Sequence, residues 1–166
     1  MIVGDLVKSI REPSSFTDKG IEDGLLMKIM EAARLAPSAN NSQVWRFFVV
    51  RESRVLKELS GLTKKEAFGS APVIVAAFAE PWTVAKRGRE QPFFMIDVPI
   101  ALSHIVLMAA ELGISATIDF EFEEKKTVEL LSTPKNYRAV ALVALGYAAD
   151  LLPRKKVDRK GMIRDG

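Results

Sequence analysis

An α+β fold, with a central mixed, mostly antiparallel sheet flanked by helices, follows from three features of this 166-residue sequence. Apolar runs of strand length alternate with segments of helical periodicity. The interval from Val50 to Pro72 carries no helix apolar enough to act as a crossover, which argues against a doubly wound parallel sheet. With 166 residues, 48% of them hydrophobic, and no internal repeat or low-complexity tract, the chain is long enough for one domain with a real core and too short for two full ones. Residues 1–166 are therefore expected to form a single domain, with 152–166 as a basic C-terminal arm.

In chain order, Leu25, Leu26, Ile29, Met30 and Ala33 recur at helical spacing while Lys28, Glu31 and Arg34 fall off that stripe, which predicts an amphipathic helix over residues 25–36. Asp23 stands where a cap would open it, although Gly24 weakens the first turn. The helix is expected to stop near Ala36, because Pro37 drives the residue before it out of the α region. Runs of β-branched, aromatic and small apolar residues at 45–50 and 72–79 read as strands, with Arg54–Leu59 and Lys64–Phe68 between them as short surface helices. From Asp97 to Leu112 the chain is apolar almost all round, which predicts a buried central helix capped by Asp97, with Pro99 in its first turn and Gly113 at its end. A strand over Ser115–Phe120, a polar helix over Glu123–Leu131 and a strand over Ala139–Tyr147 complete the series.

No cysteine is present, which excludes disulfides, iron–sulfur clusters and thiolate catalysis and suits a reducing compartment. Met1–Lys8 is too short, and carries Asp5 too early, for a signal peptide. The longest apolar stretch, Val98–Ala110, is broken by Ser103 and His104 and falls short of the ~20 residues of a membrane span. A soluble cytoplasmic protein with no membrane partner is expected. Charge is uneven: Arg154, Lys155, Lys156, Arg159, Lys160 and Arg164 against Asp158 and Asp165 put the last fifteen positions at +4, leaving the remainder at −1 of the formal +3. Such a segment suits an acidic partner or a phosphate, or is simply solvated. With no aromatic residue among those charges to stack bases, no nucleic acid partner is expected.

Several common sites lack their parts. No GxGxxG, GxxxxGK[ST] or HExxH occurs, so neither a Rossmann fingerprint, a P-loop nor a zinc site is expected, and no metal is assigned. His104 is the one histidine and lies in the apolar helix, where a hydrogen-bonded core role outweighs that of general base. Glu121, Glu123 and Glu124 gather at a turn and helix start, where the helix dipole accounts for them. No catalytic side chain is assigned.

The loop Pro37–Trp45 is the exception to this plainness. Ser38, Asn40, Asn41, Ser42 and Gln43 place five hydrogen-bonding side chains within six residues, just before an apolar strand. Such a loop can hold a polar, planar ligand, or the same side chains can satisfy the backbone of a turn. Spacing leaves both open. Elsewhere, Lys8-Ser9-Ile10-Arg11 offers two cations and a hydroxyl in one short turn, and Arg154 a guanidinium after the final strand; arginine forks suit phosphate oxygens.

Lys8-Ser9-Ile10-Arg11, the run Met30 to Phe47 containing Ala36-Pro37-Ser38-Ala39-Asn40-Asn41-Ser42-Gln43-Val44-Trp45, Ala109-Ala110-Glu111-Leu112-Gly113, Ala144-Leu145-Gly146-Tyr147 and Pro153-Arg154-Lys155 occur in one order over nearly the whole chain. Together they resemble the FMN-dependent nitroreductase family, the central run being the specific part. The resemblance implies an intertwined homodimer with an FMN at each subunit interface. It implies that Lys8, Ser9 and Arg11 hold the FMN phosphate and flavin edge, and that Arg154 is a second phosphate contact. Pro37, Ser38 and Ala39 would pass beside the flavin from the other subunit, with Asn41 and Gln43 fixing that loop. Thr117, Ile118 and Asp119 would form the short turn whose backbone amides approach the flavin, where amide dipoles and cations stabilise its reduced form.

The activity implied is hydride transfer from NAD(P)H through FMN to a small electron-poor acceptor, a nitroaromatic or quinone, in ping-pong order. Flavin fragmentation, dehalogenation, or a flavin-binding dimer without turnover are the alternatives. This chain departs from the family at Val7, where a further arginine is common, at Val44 in place of proline, and at Ser115 in place of a second glycine. Glu80–Asp97 is too short for the helical cover of larger relatives, which implies a more open site.

Overall fold

The structure, a computed structural model, describes residues 2–80, 86–87 and 91–153. Its elements are α1 (Val3–Ser9), β1 (Pro13–Phe16), α2 (Asp23–Arg34), β2 (Trp45–Val50), α3 (Ser53–Ser60), β3 (Val73–Ala79), β4 (Lys86–Arg87), β5 (Gln91–Pro92), α4 (Phe94–Glu111), β6 (Ser115–Asp119), α5 (Glu124–Leu130), β7 (Arg138–Gly146) and β8 (Ala148–Leu151). Short 3-10 turns occupy Ala39–Asn41 and Glu66–Ser70. Four strands form one sheet in the order β2-β3-β7-β6, and β1 with β8 and β4 with β5 form separate pairs. The expected α+β architecture is observed, and every described strand pair is antiparallel.

Strand β3 lies between β2 and β7, and all seven of its residues are buried, because both faces of the sheet are covered. Val73, Val75, Ala77, Val143 and Leu145 pack with Leu26, Ile29, Val98, Leu102 and Ile105 of α2 and α4. Ile74, Ala76, Phe78, Leu142 and Ala144 pack on the other face with Phe16, Leu59 and Phe68. Alternating side chains of the same strands thus enter two different cores, which is why the runs carry no polar period. His104, half-buried in α4, places Nδ1 3.0 Å from the Ala32 carbonyl oxygen and so ties α4 to α2, the core role expected for it.

Four local expectations are corrected. Helix α4 begins at Phe94, whose buried ring anchors the first turn, so Asp97 lies inside the helix and is buried instead of capping it. Pro99 accordingly falls past the first turn, where it withholds an N–H from the helical ladder. Asp23 is the first helical residue of α2, makes no cap bond, and pairs its carboxylate with Arg51 instead. The segment expected as a helix at Lys64–Phe68 is the 3-10 turn Glu66–Ser70. Elements α1, β1 and β8 carry no period in the sequence, being seven, four and four residues long.

Gly146 ends β7 where there is no room for a side chain: a Cβ would lie 2.7 Å from Phe16 Cδ1 and 2.8 Å from Pro72 Cδ. The variant G146A is expected to lose about 1–3 kcal/mol to overpacking. A lower urea midpoint at unchanged slope is the readout; an unmoved midpoint contradicts it.

Candidate functional site

The loop that follows α2 is held in an unfavourable backbone shape. Asn40, Asn41 and Gln43 have φ of 53°, 54° and 46°, in the left-handed region that costs residues with a Cβ about 1–2 kcal/mol each and that asparagine tolerates best. Hydrogen bonds keep it so. Gln43 N donates to Ser38 Oγ at 3.0 Å, and Gln43 Nε2 donates to Asn41 Oδ1 at 2.8 Å. Ala39 N donates to Asp97 Oδ1 at 3.0 Å, which anchors the loop to the start of α4. Ser38, Asn41 and Gln43 therefore satisfy the turn itself, while Pro37 and Asn40 are exposed and Ala39 is half-buried. Val44, in the proline position of the family pattern, is buried beneath them.

Near the other end of α4, Ser9 and Arg11 line a cavity of about 160 Å³ with Val106, Ala110, Ser115 and Ala116. Arg11 Nη2 donates to the Leu152 carbonyl oxygen at 3.2 Å, which fixes the guanidinium through one of its several N–H groups. Strand β8 makes this possible by returning the chain to β1, and Leu152 N donates to the Glu12 carbonyl oxygen at 2.9 Å. The Ser9 hydroxyl donates to the Leu6 carbonyl oxygen at 2.7 Å, so its proton is directed into α1. Lys8 is exposed on α1, 3.9 Å from Asp5, and is not among the residues lining the cavity. Arg154 lies outside the described residues.

Thr117, Ile118 and Asp119, expected in a turn, instead end β6, an edge strand of the sheet. β-branched Thr and Ile favour that extended shape, and the chain leaves the strand only at Phe120. The buried Thr117 hydroxyl donates to Glu12 Oε1 at 2.6 Å, and Lys65 Nζ donates to the same oxygen at 2.6 Å. Asp119 accepts from Glu121 N at 2.9 Å and from the Thr63 hydroxyl. These side chains are spent on the fold. Backbone groups along the outer edge of β6 are what this strand can offer a ligand.

The sequence-predicted residues thus fall into two groups. Ala39 is bound to Asp97 at the beginning of α4, whereas Val106 and Ala110 wall the Arg11 cavity near its end. Helical rise puts about 20 Å between Asp97 and Ala110. A single chain brings Ser9, Arg11 and β6 together and does not bring Pro37, Ser38 and Ala39 to them. Glu12, Lys65 and Asp97 are structural partners that sequence reasoning missed or misplaced. Asp97 had a signal, an isolated carboxylate in an apolar run, but the same signal marks a helix cap.

The model of the nitroreductase family matches residues 8–67 and 54–147 of the chain. The chain belongs to the nitroreductase family. Among relatives, it is 34% identical over 142 residues to a protein of Archaeoglobus fulgidus provisionally named NADH dehydrogenase/NAD(P)H nitroreductase, covering 81% of this chain and 79% of that one. A solved nitroreductase family protein from Clostridium novyi NT superposes with a TM-score of 0.84 at 29% identity, covering 89% of this chain and 87% of the other. An FMN-dependent nitroreductase from Clostridium difficile R20291 gives 0.83 at 25% identity, covering 97% and 98%. The observed α+β fold is therefore the nitroreductase fold.

The left-handed loop yields a paired prediction. N41G keeps the backbone shape and loses only the Gln43 contact, whereas N41A loses both. Thermal or urea unfolding is expected to place N41A about 1 kcal/mol below N41G; equal stabilities would show that the loop carries no strain there.

Proposed function

We propose that this nitroreductase-family chain is a cytoplasmic FMN-dependent oxidoreductase that acts as a homodimer and passes hydride from NAD(P)H to a small electron-poor acceptor, a nitroaromatic or quinone. The observation that carries this reading is the separation of the two groups of site residues along α4. A second copy related by a twofold axis sets the loop end of one subunit against the Arg11 end of the other, twice per dimer.

The surface supports a second copy. Seven of the eighteen residues of α4 are buried, yet most of the rest are apolar. Met95 and Ile96 of α4 are exposed, and Met108 shares grooves with Val3 and with Met27 and Leu35, which are 68% and 63% exposed. An apolar face of this kind marks an association surface. The size of the cavity agrees: about 160 Å³ is well below the roughly 300–1,000 Å³ of sites that enclose a whole ligand. It suits a phosphate-sized group with a guanidinium in its wall, and the rest of FMN then lies against other surfaces.

In this reading Arg11, with Lys8 and Arg154 of the family pattern, binds the phosphate, and the Ser9 hydroxyl, which donates to the Leu6 carbonyl oxygen in the structure, turns its proton to a phosphate oxygen. Pro37, Ser38 and Ala39 cover the flavin from the partner, on a loop that Asn41 and Gln43 hold rigid. Backbone groups of Thr117, Ile118 and Asp119 border it. FMN held there would supply the two-electron redox chemistry that links NAD(P)H to the acceptor in ping-pong order. The protein's part is to bind, orient and exclude water, which requires no acid or base side chain.

The purified protein is expected to be yellow, to bleach on anaerobic addition of NADH or NADPH, and to regain colour with menadione. R11A is expected to weaken FMN binding about 10- to 100-fold, the effect of losing a charge-assisted phosphate contact. A colourless protein that takes up no added FMN overturns the reading.

A further inference from the structure

Asp97 is a carboxylate in the wrong kind of place. It lies in the first turn of α4, in an apolar stretch, and is 2% exposed. Oδ1 accepts from Ala39 N at 3.0 Å, while Oδ2 is buried with no hydrogen-bond partner among the described residues. A buried carboxylate so poorly supplied with donors is costly, and an apolar residue of similar volume would be cheaper unless the one bond it makes is used. The dipole of an eighteen-residue helix lowers that cost by favouring negative charge at its start.

The bond holds the loop. Asn40, Asn41 and Gln43 sit in the left-handed region, and the Ser38, Asn41 and Gln43 hydrogen bonds that support them run within the loop itself. They fix its shape but not its position. Buried Val44, whose carbonyl oxygen accepts from Glu80 N at 3.3 Å, sets the β2 end of the loop, and the Pro37–Ala39 end is set by Ala39, whose N–H is tied across 58 residues to α4. Ser42 Oγ, on the same loop, is also buried without a partner among the described residues. Unsatisfied polar atoms on the loop and on the carboxylate that ties it are what a region arranged for something other than stability shows.

We propose that Asp97 is a positioning residue, which through the Ala39 amide fixes Pro37, Ser38 and Ala39 in their flavin-facing place before the cofactor arrives. The proposal rests on the FMN reading above. Asp97 itself touches no ligand; it acts through the loop. Preorganisation of this kind is read in affinity, because a loop already in place has less freedom to lose on binding.

Two variants separate the hydrogen bond from the charge. D97N keeps a carbonyl oxygen for Ala39, and D97L replaces the carboxylate with an apolar group of similar size; D97A serves where D97L does not fold. In the protein without FMN, hydrogen exchange at the Ala39 amide is expected to be slow in the parent and D97N and at least tenfold faster in D97L. FMN titration is expected to show D97N within about threefold of the parent and D97L weakened by tenfold or more, with kcat at saturating FMN changed far less than the FMN Kd. A merely structural role would lower the melting temperature of D97L and leave the FMN affinity of the folded protein alone. Unchanged Ala39 exchange in D97L, or a D97N that loses as much affinity as D97L, overturns the positioning role. A parent protein that takes up no FMN overturns the functional reading instead, while the exchange measurement still decides whether Asp97 holds the loop.

Discussion

Helix α4 sets the distance on which the rest of the site depends. At a rise of about 1.5 Å per residue, the helix carries the chain about 20 Å from the Asp97–Ala39 contact to Ala110 in the wall of the Arg11 cavity. Because the helix is rigid and packs on α2 and the sheet, that distance is not adjustable within one chain. Residues that meet one ligand in the proposed reading are therefore held apart by the same element that organises the core. The face that α4 shares with α1 and α2 is apolar and open, so a second copy can meet both requirements at once, covering that face and closing the distance.

The sheet makes the arrangement firm. Strand β3 is buried on both faces, and β7 is hydrogen-bonded to β3 along one edge and to β6 along the other. Glu12 adds a local clasp, joining the segment after Arg11 to the 3-10 region through Lys65 and to β6 through Thr117. As a partly exposed ion pair, the Lys65 contact contributes little to stability alone. Its value is geometric: it sets Arg11 and β6 in a fixed relation. The strained loop is the opposite case, a segment whose shape is unfavourable and is kept by bonds to itself and to Asp97.

Much of this was legible in the sequence, and the limit is physical. Helix α2 and strands β2, β3 and β7 showed themselves because burial of one face, or of both, leaves a mark on residue order. Strands β1 and β8 left none: four residues held by each other cannot display a period. The residue types of the Pro37–Trp45 loop gave away its special character, but not the left-handed backbone at Asn40, Asn41 and Gln43 or its tie to Asp97. Thr117 and Asp119 were found as residues of interest, yet their partners are 105 and 56 positions away, distances over which no local spacing carries information. The expectation of FMN came from family resemblance; composition and motifs alone leave the ligand open.

The central claim is that each flavin site is built from the Arg11 end of one subunit and the Pro37–Ala39 loop of the other. Mixed dimers test it directly. Homodimers of R11E, which reverses the phosphate charge, and of S38W, which fills the flavin side of the loop, are each expected to take up no FMN. A dimer with one subunit of each kind contains one site with both halves intact, and is expected to bind one FMN with the affinity of the parent protein. Mixed dimers that bind none would contradict the account, since that is the result of sites contained within single chains.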